Sequence, residues 1–222
     1  MSLQKPAIPV VIAAPSGTGK TTLARMLVDR NDDVVFSISA TTRPPRPGEQ
    51  DGHHYHFVGA DTFQRMVEQN ELAEWAVVHG QRYGTPRREI TSALEQGKTV
   101  VLDIDVQGAR QVRRTFPNAL TIFVLPPSAR ELAQRLTGRE SEDDIERRRR
   151  LDNARKELAA VPEFQYVVVN DELEQAYRAI EAVVRAEWAR AERISNVEAH
   201  TRRLITDLDE LIRHGGTEAA PD

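Results

Sequence analysis

A chain of 222 residues, 40% apolar and 29% charged with a net charge of −4, suits one globular domain with a sizeable core. No run is long enough to cross a bilayer, residues 1–6 carry no apolar signal core, and the absence of cysteine removes disulfides, thiolate zinc sites and thiol nucleophiles together. The expectation is a cytoplasmic protein with no membrane partner and no general nucleic-acid partner, since a net negative chain repels polyanions.

The first element is the apolar run 8–13, which reads as a buried strand. It breaks into Ala14-Pro15-Ser16-Gly17-Thr18-Gly19-Lys20-Thr21-Thr22, close to the G-x-x-x-x-G-K-[ST] phosphate loop, with Ala14 at the first position in place of glycine. Small residues let such a loop curl so that backbone N–H groups converge on an anion, and the positive end of the following helix adds to the field. Lys20 supplies charge for the terminal phosphates of a nucleotide, and Thr21 a hydroxyl for a bound Mg²⁺. A helix over 21–30 carries Leu23, Met26 and Leu27 at helical spacing, and 34–38 reads as a second buried strand.

Further apolar runs at 98–103 and 119–125 alternate with helical patterns at 86–96, 107–114 and 128–136, and a last strand at 165–169 precedes a long helix over 172–190. This alternation predicts an α/β fold with a parallel central sheet wrapped by helices. Asp103 ends one of the apolar runs, where a carboxylate beside a phosphate loop can orient Mg²⁺; a helix N-cap is the other role open there, and Asp105 fits that role better. Between 40 and 96 the pattern changes to polar turns and short strands, at 55–58 and 72–78, with Gln81-Arg82-Tyr83-Gly84 as a hairpin return, which predicts an inserted lobe. Its entrance holds Arg43 and Arg46 three apart among stiffening prolines. A second, highly charged insertion over 138–160 has the composition of a lid.

His53, His54 and His56 invite a metal reading, but polar positions flanking Tyr55 are preferred. Past 190, Ile194, Val197, Leu204, Ile205, Leu208, Leu211 and Ile212 recur near helical spacing. They predict an amphipathic helix over 193–214, followed by a loose tail at 215–222. That helix either packs on its own core or makes a contact in a homo-oligomer.

Taken together, the chain resembles guanylate kinases, nucleoside monophosphate kinases of the P-loop class. The resemblance rests on residues 14–20, Ser39-Ala-Thr-Thr-Arg43-Pro-Pro-Arg46-Pro-Gly-Glu49, 52–57, Glu74-Trp75-Ala76, Tyr83-Gly84-Thr85, residues 102–108, Gly138-Arg139 and Val169-Asn170-Asp171. It implies a three-layer α/β/α P-loop core (1–39, 97–137 and 161–192), a small mixed α/β GMP-binding lobe (40–96) and a helical lid (138–160). It further implies ATP and GMP as substrates with Mg²⁺ as cofactor. Pro15 to Thr22 and Asn170 would contact ATP, and Thr21 and Asp103 would serve the metal. Arg43, Arg46, Tyr55 and Tyr83 would grip the GMP phosphate, where guanidinium forks match phosphate oxygens.

Glu74 would read the base, because guanine offers two donors, N1–H and the N2 amine, to an ionised carboxylate, whereas adenine presents an acceptor at N1. Ser39, Thr85 and Asp105 would assist it. Lys20, Arg43, Arg135, Arg139 and Arg150 would stabilise charge during transfer; Arg150 is selected from the run Arg147 to Arg150 by its spacing from Arg139 to Leu151. The rival is a guanylate-kinase-like binding module that holds a phosphorylated peptide. Such modules tend to lose the loop lysine and lid arginines, which this chain keeps.

Overall fold

The computed structural model describes residues 3–78, 80–137 and 144–213. In chain order the elements are β1 (Pro9–Ala13), α1 (Lys20–Asp29), β2 (Val34–Phe36), β3 (Ala40–Thr41), β4 (His56–Phe57), α2 (Ala60–Glu68), β5 (Leu72–Val78), β6 (Gln81–Pro86), α3 (Arg87–Glu95), β7 (Thr99–Asp103), α4 (Val106–Thr115), β8 (Leu120–Leu125), α5 (Ala129–Thr137), α6 (Asp144–Leu158), β9 (Tyr166–Val169), α7 (Leu173–Trp188) and α8 (Val197–Arg213).

A five-stranded sheet runs in the order β2-β7-β1-β8-β9, every pair parallel. Every residue of β1 is buried, and alternation splits its side chains between two cores. Val10 and Ile12 pack with Leu23 and Leu27 of α1 and Ile180 and Val184 of α7. Val11 and Ala13 pack on the opposite face with Ile90 of α3 and Ala109 and Val112 of α4. Both faces being covered is why β1 reads as a continuous apolar run rather than an alternating one. The result is the α/β/α sandwich expected from the strand and helix alternation.

The inserted lobe is a mixed sheet ordered β4-β3-β6-β5, in which β3 and β4 are parallel and the other pairs antiparallel. Its small core joins Ala40, Phe63, Met66 and Leu72. Phe63 and Met66 belong to α2, an element the reading of 40–96 as turns and short strands does not contain. The signal is present, since Phe63, Met66 and Val67 fall at helical spacing, but nine residues make a short window for it.

The lobe is tied to the core through α4. Gln111 acts as an extra strand residue, its Nε2 donating to the Trp75 carbonyl at 2.9 Å and its Oε1 accepting from the Trp75 N–H at 3.1 Å. The β5–β6 register shifts between Leu72 and Glu74, and Leu72, Ala73 and Glu74 are all buried in succession. Such an irregularity re-aims side chains, and here it lets Glu74 point inward beside α4. Beside the loop after β1, α6 lies on α5 through Leu151, Ala154 and Leu158 against Leu132 and Leu136.

Candidate functional site

The phosphate loop turns twice through left-handed backbone, at Gly17 (φ 82°) and Gly19 (φ 85°), both conformations that favour glycine. Thr18 lies buried between them, its hydroxyl donating to the Pro15 carbonyl at 2.7 Å. α1 then opens with no side-chain cap and no acid in its first turn. No acid within α1 itself thus offsets the positive end that bears Lys20, Thr21 and Thr22, which suits it to holding an anion.

Asp103, at the C-terminal end of β7, faces this turn. Lys20 Nζ lies 2.6 Å from Asp103 Oδ1 and donates to the Ile104 carbonyl at 2.8 Å. The Thr21 hydroxyl donates to Asp103 Oδ2. Of the two roles open to Asp103, the N-cap falls to Asp105, whose Oδ1 accepts from the Gly108 N–H at 2.7 Å. A hydroxyl and a carboxylate side by side, both hard oxygen donors, fit a Mg²⁺ ion.

A cavity of about 500 Å³ is lined by Pro6, Leu94, Phe116 and Arg193, on the side of the sheet away from the loop. A smaller one, of about 250 Å³, is the chemically informative one: Lys20, Asp103 and Asp105 line it together with Ser39, Tyr55, Glu74 and Tyr83 from the lobe. Glu74 is 6% exposed, and its Oε1 accepts the Thr85 hydroxyl at 2.7 Å. Burial pushes its carboxyl up to about 7, the Thr85 hydrogen bond pulls the other way, and the charge of Asp105 adds to the rise. A buried acid paired with one hydroxyl keeps acceptor capacity for a ligand.

At the lobe entrance Arg43 is held by Glu49, Nη1 to Oε2 at 2.9 Å and Nη2 to Oε1 at 2.8 Å. Glu49 also accepts from the Arg46 backbone N–H at 2.7 Å, so one carboxylate organises both arginines. The Arg43 guanidinium beside it, followed by the Arg46 N–H, brings its pKa down to about 2. The Arg43 guanidinium stands 5.5 Å from the Tyr55 ring centroid, and Tyr55 meets Tyr83 edge-on at 6.0 Å. Both tyrosines and the buried acid thus border one space, and Arg43 stands behind Tyr55 at its edge. Glu49 closes the entrance motif, and sequence alone gives it no role. Its signal was the spacing, since an acid six residues after an arginine across a proline-rich turn can fold back onto it.

Around the loop, Arg135 has its Cβ 3.5 Å from where a Cβ on Gly17 would lie, and its guanidinium pairs with Glu131 at 3.3 Å. Arg150 is on α6, and Arg139 lies outside the described residues, as does the tail 215–222. Glu157, also on α6, was not singled out by sequence. Burial raises its pKa, Asp105 pushes the same way and Lys20 opposes, so the end of α6 shares the field of the site. Asn170 is buried, and its amide Nδ2 donates to the Thr18 carbonyl at 2.6 Å. In the histidine cluster, His56 Nε2 pairs with Glu89 Oε1 at 2.9 Å.

Residues 7–187 match the family model described as Guanylate kinase. The chain belongs to the guanylate kinase family. A guanylate kinase of Dechloromonas aromatica is 53% identical over 178 residues, covering 79% of this chain and 87% of that protein. One of Anaeromyxobacter dehalogenans is 51% identical over 187 residues, covering 83% of each. The crystal structure of guanylate kinase from Anaplasma phagocytophilum superposes with a TM-score of 0.72 at 30% identity, covering 98% of this chain and all of that one. As a family member the chain is a nucleotide-binding kinase, and no helix among its described residues is long and apolar enough to cross a membrane.

Proposed function

We propose that the chain transfers the terminal phosphoryl group of ATP to GMP, giving ADP and GDP. The observation that carries this reading is the shared cavity, which puts a buried acid with spare acceptor capacity, Glu74, in one space with the loop lysine and its carboxylate partner. Phosphoryl transfer asks little covalent chemistry of a protein; it asks for positioning, compensation of charge and exclusion of water.

Each group has a part. The loop Pro15 to Thr22, through the backbone N–H groups from Ser16 onward, and the ammonium of Lys20 hold the donor phosphates. Thr21 and Asp103 are the oxygen ligands for Mg²⁺, which when bound supplies positive charge to the phosphate oxygens. Arg43, Arg46, Tyr55 and Tyr83 hold the acceptor phosphate, and Glu74, with Ser39, Thr85 and Asp105 around it, pairs with the guanine donors. Arg135, Arg139 and Arg150 bring charge from the lid side, where closure keeps water from taking the phosphoryl group. Asn170 acts on the ATP side, holding the loop carbonyl of Thr18 and standing as the contact to the adenine. The cytoplasm is the compartment that suits these substrates.

We also read α8 as a contact between two copies. None of its residues is buried, and Leu204, Leu208 and Leu211 form an exposed row flanked by Ile205 and Ile212. The first turn of the helix, where Val197 and His200 are half-buried, meets the rest of the chain, and residues 201–213 are exposed.

A coupled assay offering GMP, AMP, CMP and UMP with MgATP tests the reaction. Turnover with GMP, and loss of about three orders of magnitude or more in Lys20→Ala with the fold retained, is expected for removing a transition-state charge. No turnover with any monophosphate would favour the phosphopeptide-binding module, and preference for AMP would overturn the assignment of Glu74.

A further inference from the structure

Gly108 is the third residue of α4, and neither its backbone nor its helix requires glycine. It is absent from the positive-φ glycines, it lies inside a regular helix, and alanine is the better helix former at such a position. What it does have is a crowded side. A Cβ placed on it would stand 2.8 Å from Glu74 Oε2, 3.3 Å from Glu74 Cδ and 3.3 Å from Ile104 Cβ. The closest obstacle is thus the head of the buried acid itself.

We infer that Gly108 is a specificity residue of the base pocket: the missing side chain leaves the slot in which the Glu74 carboxylate is held at the angle that meets a guanine edge. This rests on the reading of Glu74 as the group that pairs with the base. The carboxylate is fixed from two directions, by the Thr85 hydroxyl on Oε1 and by the surface of α4 at Gly108 under Oε2. The Asp105 side chain already takes the Gly108 N–H, so the helix end offers Glu74 room there rather than that hydrogen bond. A methyl group at 108 would move the carboxylate off α4 and toward the open side of the pocket, where Ala76 and Val78 lie. There it would occupy volume meant for the base and turn its acceptor lone pairs away from the two donors.

The consequence separates recognition from folding. The severe overlap is relieved when the end of the Glu74 side chain moves, and the milder one with Ile104 Cβ by a shift of a few tenths of an ångström, both small for the fold, yet the end that moves most is the part that reads the base. A site whose polar groups are aimed at a ligand loses discrimination steeply when their geometry is spoiled. Gly108→Ala should therefore raise the KM for GMP about tenfold or more, leave the KM for ATP within about twofold, and keep or raise the melting temperature. The KM rise should exceed any fall in kcat, because the ground-state complex with GMP is what is weakened.

The test is steady-state kinetics and thermal melting of the parent, Gly108→Ala, Glu74→Gln and the double variant. A GMP-selective rise in KM for both single variants, and a double variant no worse than the poorer single one, supports the inference, since coupled residues are not additive. Gly108→Ala with a GMP KM within twofold of the parent, while Glu74→Gln raises it, overturns the role of Gly108 and leaves Glu74 in place. A parent-like GMP KM in Glu74→Gln overturns the reading of Glu74 itself. A lowered melting temperature, with both substrates affected equally in Gly108→Ala, overturns the inference in favour of a packing role.

Discussion

The side-chain amide of Asn170 donates to the backbone carbonyl of Thr18 at 2.6 Å, joining the end of β9 to the middle of the phosphate loop. Asn170 is itself anchored, its N–H donating to the Leu125 carbonyl at 2.8 Å, so the loop is pinned to the sheet rather than to a flexible arm. A Cβ on Gly19 would stand 2.6 Å from that same amide nitrogen. The approach is therefore close enough to require glycine there on spatial grounds as well as for its positive φ.

Asn170→Ala should consequently act on the ATP side. It leaves the buried carbonyl of Thr18 without this donor, a cost of about 1–3 kcal/mol. In a chain of this size that lowers the melting temperature by about 3–10 °C. The KM for ATP should rise more than that for GMP. An unchanged melting curve, or equal effects on both substrates, would count against this bracing role.

Glu74 makes GMP binding depend on pH. Its carboxyl is raised to about 7 by burial, so below pH 7 the free protein holds a proton that pairing with two guanine donors requires it to release. Affinity for GMP should increase roughly tenfold per pH unit from about pH 5 to 7 and level off above. For folding the sign is opposite: a raised acid favours the folded state below its ordinary 4.5, and that contribution is lost as pH rises through about 7. Titration calorimetry of the parent and of Glu74→Gln separates this from the titration of the nucleotide phosphate, which both proteins share. Parallel pH profiles for the two would show that Glu74 does not take part.

Glu49→Gln tests how the arginines are held. The carboxylate makes two bonds to Arg43 and accepts one from the Arg46 N–H, and a carboxamide has a single acceptor oxygen to serve all three. Two effects compete: removing a negative charge near a bound phosphate favours GMP, and loosening a proline-rich turn disfavours it. Positioning should dominate, because Arg43 is already drawn to phosphate by its own charge but needs a fixed fork to bind it in two places. The KM for GMP should rise about threefold to tenfold, corresponding to about 1 kcal/mol. Tighter GMP binding would mean that Glu49 competes with the phosphate.

The sandwich was legible because its signals are local. β1 is apolar throughout, the glycines of the loop carry their own turn, and α7 is long enough for its period to stand out. α2 escaped because nine residues inside a polar insertion give only two buried side chains, Phe63 and Met66. At the site, the residues that touch a substrate in the family's motifs could be named from type and order. Those that act on them could not. Glu49 left only its spacing from Arg43, which does not by itself say that the two pair. Gly108 matters through its distance to Glu74, and no pattern along the chain encodes how close the carboxylate on β5 comes to α4. Gln111 is similar, since its two bonds to the Trp75 backbone depend on how the lobe meets the core.

α8 gives the last expectation. Its base is held by Asn196 Oδ1 accepting from the Gln4 N–H at 3.0 Å, while the row Leu204, Leu208 and Leu211 stays exposed. Charge along the helix is unequal: Arg202 and Arg203 outweigh Glu198 in the first half, and Asp207, Asp209 and Glu210 outweigh Arg213 in the second. Two copies laid antiparallel about Thr206 bring Leu204 of each near Leu208 of the other and set the basic half of one along the acidic half of its mate. A contact of this size falls below the roughly 1,200 Å² of stable complexes, so the association should be weak, with dissociation on the order of micromolar. Light scattering should then show a mass that rises with concentration in the parent, and a single-chain mass throughout for Leu208→Glu, with GMP turnover unchanged at low concentration. A single-chain mass for the parent up to about a hundred times that concentration would refute the pairing.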